Sequence, residues 1–229
     1  MDDADRPLDP TALAEMIDHT LLTPTATDAE VRALCIEAAD LGVAAVCLSP
    51  SRLPVPQGLL PPKMGVAAVV GFPSGAHSRP IKAREAELAV AAGASEIDVV
   101  MDLGAASAGD WSAVEAEVAA VRAAAPHPTL LKVIIEAAAL SGDGIERACA
   151  AAEAAAADMV KTSTGFHPAG GATVDAVARM RDAVGDRLGV KAAGGIRDAA
   201  TAQAMVAAGA SRLGCSATRA ILGRDEGAG

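Results

Sequence analysis

Eight short apolar runs, each closing on small or polar residues, punctuate the chain and limit what it can become. They extend from Ile17 to Leu22, Ala44 to Pro50, Val66 to Pro73, Glu96 to Gly104, Leu130 to Ala137, Met159 to Phe166, Leu188 to Gly195 and Arg212 to Ser216. Runs of this length, rich in Val, Ile and Ala, read as strands buried on both faces. Between most of them the apolar residues follow a helical period. Val31, Leu34, Cys35, Ala38 and Leu41 form one stripe, and Trp111, Val114, Val118 and Val121 another. The repeated unit is strand then helix, which predicts a parallel sheet.

Turn chemistry sharpens the reading. Ala91-Ala92-Gly93-Ala94-Ser95 and Ala207-Ala208-Gly209-Ala210-Ser211 are the same pentapeptide, each with a glycine suited to a helix C-terminus directly before an expected strand. They lie 116 residues apart in a chain of 229, the spacing of four units out of eight. Helix starts are marked by Thr27-Asp28, Asp110 and Asp198. No Ser/Gly-rich linker divides the chain, so the expectation is one (β/α)8 barrel over residues 1–229, with 1–10 and 223–229 as short tails. The second unit is the weakest: Pro54, Pro56, Pro61 and Pro62 leave room for a short helix at most.

Composition excludes several classes of function. Apolar residues make up 52% of the chain, yet Phe72, Phe166 and Trp111 are its only aromatics. The core must therefore be built from small aliphatic side chains, which suit helices packed closely on a sheet. A net charge of −10 argues against a nucleic-acid partner, because phosphate affinity rests on clustered Lys and Arg. Cys35, Cys47, Cys149 and Cys215 are too scattered for a disulfide framework or a metal site, and free thiols fit the cytoplasm. The acidic N-terminus lacks the apolar segment of a secretory signal, and the alanine-rich 148–157 stretch is too short to span a bilayer. A soluble protein with no membrane partner is expected. Small, apolar outer helices would suit pairing into a homodimer or higher homo-oligomer.

In a barrel of this kind the chemistry gathers at the C-terminal ends of the strands. Lys161 and Lys191 occupy that end of the sixth and seventh runs, and each is followed by a glycine-containing turn. Two inward ammonium groups on adjacent strands repel, which would leave one of them an unprotonated, nucleophilic amine. That is chemistry for a carbonyl substrate. Asp98, a carboxylate inside an apolar strand, needs a cation, and Lys132 on the next strand is a candidate partner. Asp18 and Thr20 sit similarly on the first strand. His19, between them, should point away and pack or cap. Cys47 could face the pocket, although a buried thiol usually serves as filler. The turns from Thr162 to Gly165 and from Gly194 to Asp198, with Gly214-Cys215-Ser216, offer amides and hydroxyls for a phosphate, the second leading into a helix N-terminus.

Taken in order, IDHTLL (17–22), VCLSP (46–50), VVGFPSGA (69–76), EIDVVMDLGA (96–105), LKVIIE (131–136), VKTSTGF (160–166), GVKAAGGIRD (189–198) and RLGCSA (212–217) make the chain resemble the deoxyribose-phosphate aldolases, class I Schiff-base enzymes. The resemblance implies a (β/α)8 barrel that reversibly cleaves 2-deoxy-D-ribose 5-phosphate to D-glyceraldehyde 3-phosphate and acetaldehyde, with no metal and no organic cofactor. It implies Lys161 as the Schiff-base lysine, Lys191 as the neighbour that lowers its pKa, and Asp98 in the proton relay. Asp18, Thr20, Cys47 and Lys132 would line the pocket, and Gly165, Gly194, Gly195, Gly214 and Ser216 would hold the phosphate. The alternatives are another Schiff-base aldolase and a barrel that only binds a phosphorylated metabolite. The chain departs from some relatives in two places: Phe166 stands where they have a lysine, and no tail tyrosine follows Arg224.

Overall fold

In the computed structural model, which describes residues 8–224, eight parallel strands close on themselves in sequence order, with the first paired to both the second and the eighth. They are β1 (Ile17–Leu21), β2 (Ala45–Leu48), β3 (Gly65–Val70), β4 (Glu96–Val100), β5 (Leu130–Ile134), β6 (Met159–Lys161), β7 (Gly189–Ala193) and β8 (Arg212–Cys215). Seven lie inside the expected runs, and β3 begins one residue ahead of its run, at Gly65. The helices are α1 (Pro10–Ala14), α2 (Asp28–Leu41), α3 (Arg79–Ala91), α4 (Leu103–Ser107), α5 (Trp111–Ala124), α6 (Gly142–Ala154), α7 (Val174–Val184), α8 (Ala199–Ala207) and α9 (Thr218–Ile221). This is a single-domain (β/α)8 barrel. Of the expected tails, residues 1–7 and 225–229 lie outside the described residues, while Asp9 caps α1 and the Leu8 backbone is bonded to Gln203.

Local chemistry explains the element boundaries. The hydroxyl of Thr27 accepts the Glu30 N–H while the Glu30 carboxylate accepts the Thr27 N–H, a reciprocal cap that starts α2. The α2 stripe is buried as expected. Between β2 and β3 the chain forms only a 3₁₀ turn, Pro50–Arg52, as the prolines required. The repeated pentapeptide folds the same way twice. Gly93 and Gly209 take φ of 99° and 107°, a region that disfavours a side chain. Two residues later, the Ser95 hydroxyl accepts the Val66 N–H at the start of β3, and the Ser211 hydroxyl accepts the Val190 N–H at the start of β7. Each serine thus ties a helix exit to the preceding strand.

The main core lies between sheet and helices, while the barrel interior divides in two. On the β2–β3 side it is apolar, with Cys47, Ala67 and Val69 packed against Leu22 and Phe72. On the side of β4 to β8 and β1 it is charged. His19 points outward as expected, its Nδ1 2.8 Å from the Thr218 hydroxyl and its Nε2 3.7 Å from Glu37. Among the described residues no helix is long and apolar enough to cross a membrane.

Candidate active site

The pairing register brings the expected residues together. Lys161 lies opposite Lys191 on neighbouring strands, and Asp98 opposite Lys132. The two lysines do not face each other bare. Asp98 Oδ2 accepts from Lys161 Nζ at 2.8 Å and from Lys191 Nζ at 2.7 Å, while Asp98 Oδ1 accepts from Lys132 Nζ at 2.7 Å. Lys191 also donates to Asp18 Oδ2. This corrects the picture of naked repulsion drawn from the sequence: a carboxylate bridges the pair, because β4 sends Asp98 to the same level of the interior. Asp98 is thus bound to Lys132, its candidate partner on the next strand, and to both other lysines.

Electrostatics follow from that packing. Burial alone would raise the Asp98 carboxyl, but Lys132, Lys161 and Lys191 outweigh it and hold the group well below the usual range. Burial likewise opposes ionisation of Asp18, yet Lys191, Lys132 and Arg212 hold it at about 2. Burial would strip a proton from Lys191, and Asp18 and Asp98 reverse this, keeping it charged far above an ordinary lysine. Lys132 is raised for the same reason, by Asp98, Asp18 and Glu96 against burial.

Above this layer opens a cavity of about 410 Å³ at the C-terminal mouth. Among the ionisable side chains of the buried cluster, Lys161 lines it; Lys191, Asp98, Asp18 and Lys132 do not. Thr20 reaches the wall, whereas Asp18, two residues earlier on β1, lies one layer deeper. The expectation that Asp18, Lys132 and Cys47 would line the pocket therefore becomes a placement beneath it. Cys47 is fully buried in the apolar half of the barrel, where burial pushes its thiol pKa up.

Together with Lys161 the wall includes Gly165, Gly194, Gly195, Gly214 and Ser216, all the expected phosphate residues. Gly194 has φ of 88°, and a Cβ there would lie 3.0 Å from the Gly171 Cα and 3.3 Å from the Gly165 Cα, so the loops after β6 and β7 meet at bare backbone. The N-terminus of α8 is already occupied in part, since the Asp198 carboxylate accepts the Thr201 N–H. Phe166 lines the same cavity and meets Phe72 edge-to-face, centroids 5.3 Å apart and planes at 85°.

Four contributors escaped the sequence reading. Arg197 brings a guanidinium to the cavity wall. Glu136, fully buried just past β5, accepts the Thr164 hydroxyl at 2.6 Å and the Thr164 N–H at 3.2 Å, fixing the turn after Lys161. Arg212 donates to Asp18 Oδ1 at 2.7 Å, and Glu96 pairs with Lys132. A carboxylate or guanidinium at either end of an apolar run was the available signal. Among the described residues no group of three His, Cys, Asp or Glu is placed to hold a metal.

Comparison with known proteins agrees with this geometry. Residues 12–224 match the DeoC/LacD family of aldolases. A deoxyribose-phosphate aldolase of Kocuria rhizophila is 59% identical over 210 residues, covering 92% of this chain and 95% of the relative. One of Mycobacterium tuberculosis is 58% identical over 214 residues, covering 92% and 94%. Among solved structures, a deoxyribose phosphate aldolase of Aeropyrum pernix, described as a unique tetrameric structure, superposes with a TM-score of 0.86 at 34% identity, covering 94% of this chain and 91% of that one. With a lysine at the mouth of a closed eight-stranded barrel and relatives this similar across nearly its whole length, the chain belongs to the DeoC/LacD aldolase family and is a carbon–carbon lyase.

Proposed function

We propose that this lyase reversibly cleaves 2-deoxy-D-ribose 5-phosphate to D-glyceraldehyde 3-phosphate and acetaldehyde through a Schiff base on Lys161. The observation that carries the reading is that Lys161 is the one amine of the buried cluster offered to the cavity, which it shares with a wall of glycine backbone, Ser216 and Arg197 suited to a phosphate. The cavity falls within the roughly 300–1,000 Å³ of small-molecule sites.

The steps follow from the groups present. The Lys161 amine adds to the C1 aldehyde, water leaves, and a protonated imine forms. The C3 hydroxyl gives up its proton, the C2–C3 bond breaks, and its electron pair passes into the imine to give an enamine on Lys161. Glyceraldehyde phosphate departs. Protonation of the enamine carbon and hydrolysis of the regenerated imine release acetaldehyde and free the amine. Asp98, in contact with both Lys161 and Lys191, would carry protons to and from the reacting centre, and Lys191 would remain the neighbouring cation. No step calls for a metal or an organic cofactor.

A cytoplasmic setting and self-association complete the proposal. The four cysteines are free and buried. Ile81 and Leu88, seven residues apart on α3, are each about half exposed and offer an apolar stripe to a second copy.

Incubation with acetaldehyde and borohydride, followed by peptide mass mapping, tests the reading. An ethyl adduct on Lys161 is expected. A barrel that merely binds phosphometabolites gives no adduct, and an adduct on Lys191 would reverse the two roles.

A further inference from the structure

Arg212 and Glu96, like Asp18 and Lys132, belong to the charged barrel interior and have no part in the steps above. Arg212 and Glu96 sit at the first residues of β8 and β4, at the end of the barrel remote from the substrate cavity, where both line a second opening. Arg212 Nη1 lies 2.7 Å from Asp18 Oδ1 and 3.7 Å from Glu96 Oε1, and Glu96 pairs with Lys132 through its other oxygen. Asp18 and Lys132 then touch Lys191 and Asp98, and Asp98 touches Lys161. A continuous chain of ion pairs thus runs from the barrel floor to the amine at its mouth.

Each strand's share of charge can be stated. β1 brings Asp18, β4 Glu96 and Asp98, β5 Lys132, β6 Lys161, β7 Lys191 and β8 Arg212. β3 carries no ionisable residue, and the thiol of Cys47 on β2 is kept neutral by burial. Glu136, beyond β5, is engaged by Thr164 and makes no ion pair within 4.0 Å of the four cations. Fully protonated, the linked network holds four cations against three carboxylates. One positive charge is in excess in a largely buried network, and the loss of one ammonium proton removes it. Lys191 contacts two carboxylates and Lys132 three, whereas Lys161 contacts Asp98 alone. Arg212 stays a guanidinium: burial opposes its charge, but Asp18 and Glu96 hold its pKa above that of a free arginine.

We propose that Arg212 and Glu96 are positioning residues that set, from the far end of the barrel, the pH at which Lys161 becomes a free amine: Arg212 supplies the excess positive charge and Glu96 offsets part of it. The proposal rests on Lys161 being the reacting amine. Its signature is a pair of opposite shifts. Removing the Arg212 charge makes protonated Lys161 easier to keep, so the free amine emerges at higher pH. Removing the Glu96 charge does the reverse. A unit charge roughly 10 Å away, through an effective dielectric of about 20, moves such a titration by about one pH unit.

The test measures the rate of acetylation of Lys161 by acetic anhydride from pH 5 to 10, read by peptide mass spectrometry. The protein, Arg212→Gln, Arg212→Lys and Glu96→Gln are compared, each checked for folding by circular dichroism. Arg212→Gln should raise the midpoint by about one pH unit, Glu96→Gln should lower it, and the charge-preserving Arg212→Lys should stay near the parent. Midpoints that coincide, or that move in the same direction for Arg212→Gln and Glu96→Gln, overturn the proposal in favour of a packing role. Borohydride trapping with acetaldehyde runs alongside on the unaltered protein. Its failure would refute the Schiff-base reading, while the acetylation midpoints still decide the charge coupling.

Discussion

Replacing Asp18 by Asn removes one negative charge from the centre of the buried network while keeping the side chain's shape. Asp18 is fully buried and its carboxyl is held at about 2 against an ordinary 3.8, because Lys191, Lys132 and Arg212 outweigh the burial that opposes its charge. A depression of nearly two units corresponds to about 2 kcal/mol of folding stability at neutral pH. The folded value lies below the unfolded one, so this contribution is fully present above about pH 4 and disappears as the pH falls through about 2. Asn also leaves Lys191 and Arg212 each without one anionic partner in the interior, and breaking a buried pair this way costs about 3–5 kcal/mol in all. The assay is urea unfolding followed by the fluorescence of Trp111, the single tryptophan, from pH 7 down to pH 3. Asp18→Asn should unfold at a clearly lower urea concentration at pH 7, and the gap to the parent should narrow below pH 4. A gap of constant size across that range, or none at pH 7, would refute the argument that these cations stabilise the Asp18 carboxylate.

Two further outcomes concern the cavity wall. Gly194→Ala forces a Cβ against the Gly171 and Gly165 backbones at a φ of 88°, and should raise KM for the phosphorylated sugar at least tenfold while sparing turnover of unphosphorylated deoxyribose. Equal losses on both substrates would place the phosphate elsewhere. Phe166→Lys sets an ammonium on the cavity wall and should lower KM for the phosphorylated sugar several-fold in dilute buffer, an advantage that fades in about 0.5 M salt as screening sets in. A KM that does not change would mean that the wall at Phe166 does not face the phosphate.

Much of the architecture was legible because it is encoded locally. A strand's apolar run, a Thr27–Glu30 cap or an Ala-Ala-Gly-Ala-Ser exit needs only neighbours within a few residues to declare itself, and all took the expected form. The adjacency of Lys161 and Lys191 was legible too, since consecutive strands pair in a barrel and both lysines hold the same place in their runs. Arg197 and Glu136 were harder to find, because a charged residue in a turn reads the same whether it faces solvent, a cavity or a buried threonine.

By itself the sequence determined the number and order of strands, the helix ends, and which end of the barrel carries the amines and the glycine turns. Only the tertiary structure decided how the charges combine. Asp18 meets Lys191 across 173 residues and Arg212 across 194, contacts that exist because β8 closes against β1. Closure also brings Asp98 between the two lysines and leaves Lys161 as the amine at the cavity. Charge acts through space and not along the chain, so the balance of this network belongs to the closed barrel rather than to any one motif.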